Sequence, residues 1–97
     1  DSILGYNAHM GAGSITSNVK SNKSLVEVNC DGEKIATGLK KFGAILGDHT
    51  EIGCNSVLNP GCVIGKGSQI YPVSTVRGVV PEYHIYKQPN EIVAIKD

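Results

Sequence analysis

Leu46-Gly47-Asp48-His49-Thr50-Glu51, Ile52-Gly53-Cys54-Asn55-Ser56-Val57, Leu58-Asn59-Pro60-Gly61-Cys62-Val63: in sixes, the chain repeats itself. Three more hexads follow: Ile64-Gly65-Lys66-Gly67-Ser68-Gln69, Ile70-Tyr71-Pro72-Val73-Ser74-Thr75 and Val76-Arg77-Gly78-Val79-Val80-Pro81. Each opens with an aliphatic residue and carries a small or β-branched residue four places later. Chance does not hold a phase for six repeats. A six-residue period is the signature of a parallel β-helix.

The physical content of the hexad is alternation. The small residue and the next aliphatic are two apart, which places them on one face of a strand. Thr50 with Ile52, Ser56 with Leu58, Cys62 with Ile64, Ser68 with Ile70 and Ser74 with Val76 therefore point inward together. The residue after each aliphatic is Gly47, Gly53, Asn59, Gly65, Tyr71 or Arg77. Gly and Asn accept positive φ, so the sharp corners are expected there. Three hexads make one triangular coil. Stacking puts Leu46 under Ile64, Ile52 under Ile70 and Leu58 under Val76, with coils about 4.8 Å apart. Val57, Val63 and Val73 fall on the prism sides. They are expected to be exposed in a single chain, which points to a trimer.

Working outward, the residues before the repeat keep its phase. Leu4, Met10 and Thr16 mark one earlier coil. Residues 19–44 hold no hexad. Lys20 to Ser24 is a polar loop. Leu25–Val28 and Glu33–Gly38 flank Asp31-Gly32, a turn signal between β-prone runs, so a β-hairpin arm is expected within about residues 19–44. Such an insertion is commonly functional or interfacial. After Pro81 the hexad stops. Tyr83, Ile85, Tyr86, Ile92, Val93 and Ile95 supply apolar surface for a C-terminal cap over the last coil.

Ninety-seven residues make one domain, 1–97. Nine basic residues against nine acidic ones leave no net charge, so nothing draws the chain to nucleic acid or a membrane surface. No run is apolar enough to span a membrane, and no signal peptide is visible. Cys30, Cys54 and Cys62 are odd in number and lack CxxC spacing, so reduced thiols and a cytoplasmic location are expected. Asp1 is not an initiator and would leave the first coil uncovered, which points to a C-terminal fragment of a longer chain.

The run Gly11-Ala12-Gly13-Ser14-Ile15-Thr16-Ser17-Asn18, followed after a loop by Leu46-Gly47-Asp48 and further hexads, resembles a known family. It is similar to the left-handed β-helix acetyltransferase domain of the bifunctional enzyme that makes UDP-N-acetylglucosamine. Asn7-Ala8-His9-Met10, Gly38-Leu39-Lys40-Lys41-Phe42-Gly43 and Ser74–Pro81 resemble small bacterial stand-alone relatives of the pyrophosphorylase-like type. The resemblance covers nearly all of the chain. It implies a single-stranded left-handed parallel β-helix, all-β, in a homotrimer with acetyl-CoA in grooves between prisms. It also implies acetyl transfer to an amino-sugar phosphate or nucleotide sugar, with a His as general base on the amine and backbone N–H groups steadying the oxyanion.

By the same resemblance, Asn18 binds sugar or acetyl group and Lys23 reaches the sugar phosphate. Ala12 borders the acetyl-CoA thioester. Cys54 stands for a Ser near the cofactor, Tyr71 and Pro72 for small residues that admit the pantetheine arm, and Lys87 for a late Arg at the cofactor phosphate. The family's catalytic His falls before the residue that Asp1 matches, so the resemblance implies a general base upstream of this chain, which by itself is then expected to be inactive. Within the chain His9 is the candidate catalytic base, and its plain alternative is a corner histidine. No resident metal is expected. His9, His49 and His84 together would suggest a three-histidine zinc site, the remotest reading. Bulky Tyr71 favours a different class, a trimerising scaffold without chemistry. No Gly-rich phosphate loop in a βαβ context is present, so nucleotidyl transfer has no machinery here.

Overall fold

The computed structural model describes residues 1–30, 32–87 and 91–95. The hexads fold as two-residue strands separated by tight turns. One coil is Ile3–Leu4 (β1), His9–Met10 (β2) and Ile15–Thr16 (β3). The chain then leaves the coil as an excursion holding Glu27–Cys30 (β4) and Glu33–Ala36 (β5). The next coils are Ile45–Leu46 (β6), Glu51–Ile52 (β7) and Val57–Leu58 (β8), then Val63–Ile64 (β9), Gln69–Ile70 (β10) and Thr75–Val76 (β11). Val79–Val80 (β12), His84–Lys87 (β13) and Glu91–Ala94 (β14) close the chain.

Three sheets form the prism. The first runs β1-β6-β9-β12, the second β2-β7-β10-β13-β14 and the third β3-β8-β11. Every pairing in them is parallel except that of β13 with β14. Leu46 pairs with Ile64, Ile52 with Ile70 and Leu58 with Val76, the register that the hexad phase demands. Leu4, Met10 and Thr16 lie under Leu46, Ile52 and Leu58. The aliphatic stack and the small residues beside it fill the core: Leu46, Ile52, Leu58, Ile64, Ile70 and Val76 are buried, as are Thr50, Ser56, Cys62, Ser68 and Ser74.

The corners differ from the sequence expectation. Positive φ falls on the second turn residue, at Asn7, Gly13, His49, Asn55, Gly61, Gly67, Val73 and Tyr83, not on the residue after the aliphatic. Gly47, Gly53 and Gly65 serve closeness instead. A Cβ on Gly47 would lie 2.8 Å from the Lys66 backbone nitrogen, and one on Gly53 would lie 2.7 Å from the Pro72 Cα. The next coil's turn crosses directly over each glycine. Val73 carries φ 58 with a β-branched side chain, a strained choice at a corner.

The hexad also ends earlier than its pattern suggests. Val80, not a residue two further on, pairs with Ile64, because the Arg77-Gly78 corner is two residues short. Gly78 takes φ 75 there. Of the three side valines, Val73 is exposed, whereas Val57 and Val63 are half-buried between neighbours in their sheets.

The excursion pairs β4 with β5 antiparallel, from Glu27 opposite Ala36 to Cys30 opposite Glu33. It starts two residues later than the Leu25 expected, and Leu25 is exposed. Gly32 has φ 80, while Asp31 of the Asp-Gly turn lies outside the described residues. Val26 and Val28 are buried and anchor the hairpin on the prism. At the far end Tyr86 enters the core and its hydroxyl donates to the Thr75 carbonyl at 2.9 Å. Tyr83 and Ile92, expected as covering residues, are exposed, and of Val93 only the backbone is described.

Candidate functional site

Where the second sheet turns into the third, turns stack in a ladder. Asn55 donates its backbone N–H to the Ala12 carbonyl at 3.0 Å, and Val73 donates to the Cys54 carbonyl at 2.9 Å. Ala12, Cys54 and Pro72 thus lie one above another, all exposed. The adjacent column is Gly11, Gly53, Tyr71 and Lys87, set by the pairing of β2, β7, β10 and β13. A Cβ on Gly11 would sit 2.8 Å from the Cys54 nitrogen and 3.0 Å from its Sγ. At the third level a phenol ring replaces hydrogen, and the Lys87 ammonium lies 5.7 Å from the centroid of that Tyr71 ring. All five cofactor candidates, Ala12, Cys54, Tyr71, Pro72 and Lys87, therefore share one edge. That edge offers small side chains at one end and a cation over an aromatic ring at the other.

His9 stands on β2, in register with Glu51 on β7. Its Nδ1 is 3.0 Å from Glu51 Oε2, and both side chains are well exposed. A carboxylate on Nδ1 favours the tautomer that carries its proton there, which leaves Nε2 as the acceptor. His49 makes other contacts: its Nδ1 is 3.3 Å from the Asn7 amide, and its ring meets Tyr6 edge-on at 5.5 Å. His84 Nδ1 is 2.7 Å from the Glu82 carbonyl. Among the described residues no three His, Cys, Asp or Glu gather into a metal-holding group.

The two substrate candidates lie elsewhere. Asn18 follows β3 at the corner between the third and first sheets, where its amide donates to Asp1 Oδ2 at 2.8 Å and its carbonyl accepts from Phe42 at 2.9 Å. Lys23 is exposed on the excursion, at φ 63, with its N–H on the Lys20 carbonyl at 2.9 Å. Within one chain the candidate residues thus divide between two corners, a split that the linear order concealed. Sequence reasoning also missed Glu51 as the partner of His9. The signal was there in principle, because the first coil stacks under the second only after the excursion is set aside. Cys62 is chemically quiet: burial pushes its thiol up to about 12.

The bacterial transferase hexapeptide model, of six repeats, matches residues 43–78. Residues 43–78 thus carry that family's hexapeptide repeat. Over 76 residues, 78% of the chain, it is 36% identical to a bifunctional sugar-1-phosphate nucleotidylyltransferase/acetyltransferase of Sulfurisphaera tokodaii. Over 97 residues, 99% of the chain, it is 33% identical to the bifunctional protein GlmU of Methanococcus aeolicus. The chain spans only about a fifth of those relatives, 19% and 23% of their lengths. Among solved structures, the N-acyltransferase AntD of Bacillus cereus, in complex with dTDP and 3-hydroxybutyryl-CoA, superposes with a TM-score of 0.71 at 19% identity. That match covers 99% of this chain and 52% of AntD. At this identity the likeness shows the fold alone: a hexapeptide β-helix.

Proposed function

We propose that the chain is the acyl-CoA-binding β-helix of an acetyltransferase that acts, as a homotrimer, on an amino-sugar phosphate or a nucleotide sugar. In this reading the coil is left-handed, the hairpin is an arm, the last strands are a cap, and the protein works in the cytoplasm. The observation that carries the reading is the alignment of Ala12, Cys54, Tyr71, Pro72 and Lys87 along a single edge. The acetyltransferase names of the bifunctional relatives and the coenzyme A ligands of AntD support it.

The chemistry follows from what the edge presents. An extended pantetheine arm lies along the small side chains of Ala12 and Cys54, and Lys87 donates to a coenzyme phosphate. His9, held by Glu51, takes a proton from the sugar amine through Nε2. The amine attacks the thioester carbonyl, the tetrahedral oxyanion collapses, and the coenzyme leaves as its thiol. Asn18 and Lys23, at the other corner, approach the edge of a neighbouring protomer and hold the sugar phosphate.

Calorimetry with acetyl-CoA in reducing buffer tests the reading. Micromolar binding by a protein that is trimeric in light scattering is expected, weakened by Lys87→Ala. With glucosamine 1-phosphate as acceptor, His9→Gln is expected to lower thiol release by a factor of about 100 or more. A folded trimer that does not bind acetyl-CoA would overturn the proposal. It would favour instead a scaffold without chemistry, for which Tyr71 speaks: it puts a bulky ring in register with Gly11 and Gly53.

A further inference from the structure

The corner between the first and second sheets carries neither the coenzyme candidates nor Asn18 and Lys23. Its turns stack directly. His49 donates its backbone N–H to the Tyr6 carbonyl at 2.9 Å, Gly67 to the Asp48 carbonyl at 2.9 Å and Tyr83 to the Lys66 carbonyl at 2.8 Å. Two columns result: Tyr6, Asp48, Lys66 and Glu82 in one, Asn7, His49, Gly67 and Tyr83 in the other.

The rings on this corner are exposed and yet held. Tyr6 is 75% exposed, but its N–H donates to Asp48 Oδ1 at 2.7 Å and its ring meets that of His49. Tyr83 is 49% exposed, with the Lys66 ammonium 5.8 Å from its ring centroid. Its ring lies against Gly67, where an added Cβ would come within 2.6 Å of a ring carbon. His49 and Tyr83 take φ 60 and φ 55, a strain that Gly67 escapes at the equivalent position between them. Folding asks only for glycine at these points, so side chains kept there under strain point to a use outside the fold.

Tyr6 on the first turn, His49 on the second and the Tyr83 ring against the third set aromatic surface at three successive levels, about 4.8 Å apart. That step is close to the length of one pyranose in an extended glycan. Asp48, Lys66 and Glu82 alternate in sign along the axis, so no net field selects an ion. None of the residues in the two columns is aliphatic, so the ridge lacks the apolar centre that protein interfaces bury. Flat rings suit the C–H faces of a sugar, and the carboxylates and ammonium suit its hydroxyls. We propose that this corner binds a neutral, extended oligosaccharide, with pyranose rings on Tyr6 and Tyr83 and hydroxyls bonded to Asp48, Lys66 and Glu82. The inference does not rest on acyl transfer, because this corner and the proposed coenzyme edge are different corners.

Calorimetry with cellotriose, chitotriose and glucose tests it. At least one trisaccharide is expected to bind, and glucose to bind roughly tenfold more weakly or not at all, because one ring reaches one level. Tyr6→Ala should lower the affinity roughly tenfold, and Tyr6→Phe should keep it. Tyr83→Gly removes the ring and relieves the positive φ together, so the fold holds while binding falls. Leu39→Ala, which trims exposed apolar surface on the excursion, should leave binding unchanged. A folded protein that binds neither trisaccharide would overturn the proposal, as would Tyr6→Ala and Tyr83→Gly variants that bind like the parent. Binding of a polyproline peptide through the same tyrosines, with no trisaccharide bound, would replace the glycan by a peptide partner.

Discussion

The regular coils and the hairpin excursion are both β-structure, yet they are held in different ways. In the coils each buried aliphatic has an equivalent above or below it, so burial recurs with every hexad. The excursion is anchored by two buried valines and a short belt of hydrogen bonds. Val26 donates to the Leu39 carbonyl at 2.8 Å, and the Thr37 hydroxyl donates to the Val26 carbonyl at 2.6 Å. One region is stabilised by repetition, the other by a few specific contacts. Opening the second should therefore not open the first.

The largest effect expected from breaking this contrast is in the coils. Ile64→Ala leaves a void beside Leu46 and Val80, and should cost about 2–5 kcal/mol in chemical denaturation. A smaller loss, about 2 kcal/mol, is expected for Val26→Ala. Its signature should be local: faster amide hydrogen exchange across 26–37 with the coils still protected. Uniform exchange throughout the chain would show that the hairpin and the coils are one cooperative unit.

The coil itself contains a weak point. Thr50 is buried, and its hydroxyl has no hydrogen-bond partner among the described residues. Thr50→Val should gain about 1 kcal/mol, read as a higher denaturation midpoint. The last effect vanishes at neutral pH. Burial raises the Cys62 thiol from 9.0 to about 12. Below pH 9 both folded and unfolded thiols keep their proton. Above it the unfolded chain loses the proton first, so stability falls as pH rises towards 12. Cys62→Ser should flatten that alkaline decline in equilibrium denaturation.

Much of the prism was legible from residues alone. The phase of Leu46, Ile52 and Leu58 set the register, and the small residues at Thr50, Ser56 and Cys62 marked the inward face. Gly47 and Gly53 were legible as special positions but for the wrong reason. A dihedral preference and a close approach both ask for glycine, and a single sequence does not separate them. The shortened corner at Arg77-Gly78 was hidden because Val79 and Val80 are both apolar, so the hexad appeared to continue. The cofactor candidates are spread from Ala12 to Lys87, and the edge they share exists only once the coils stack.

The sequence by itself determined the repeat, the inward face and the order of the coils. These follow from alternation within a strand, which is local. Only the tertiary structure decided which corner residue turns left-handed, which glycine lies beneath a neighbouring turn, and that Glu51 meets His9. It alone lined up Tyr6, His49 and Tyr83 along one corner. Those facts depend on what the next coil or the hairpin places a few ångströms away, and no six-residue window contains that information.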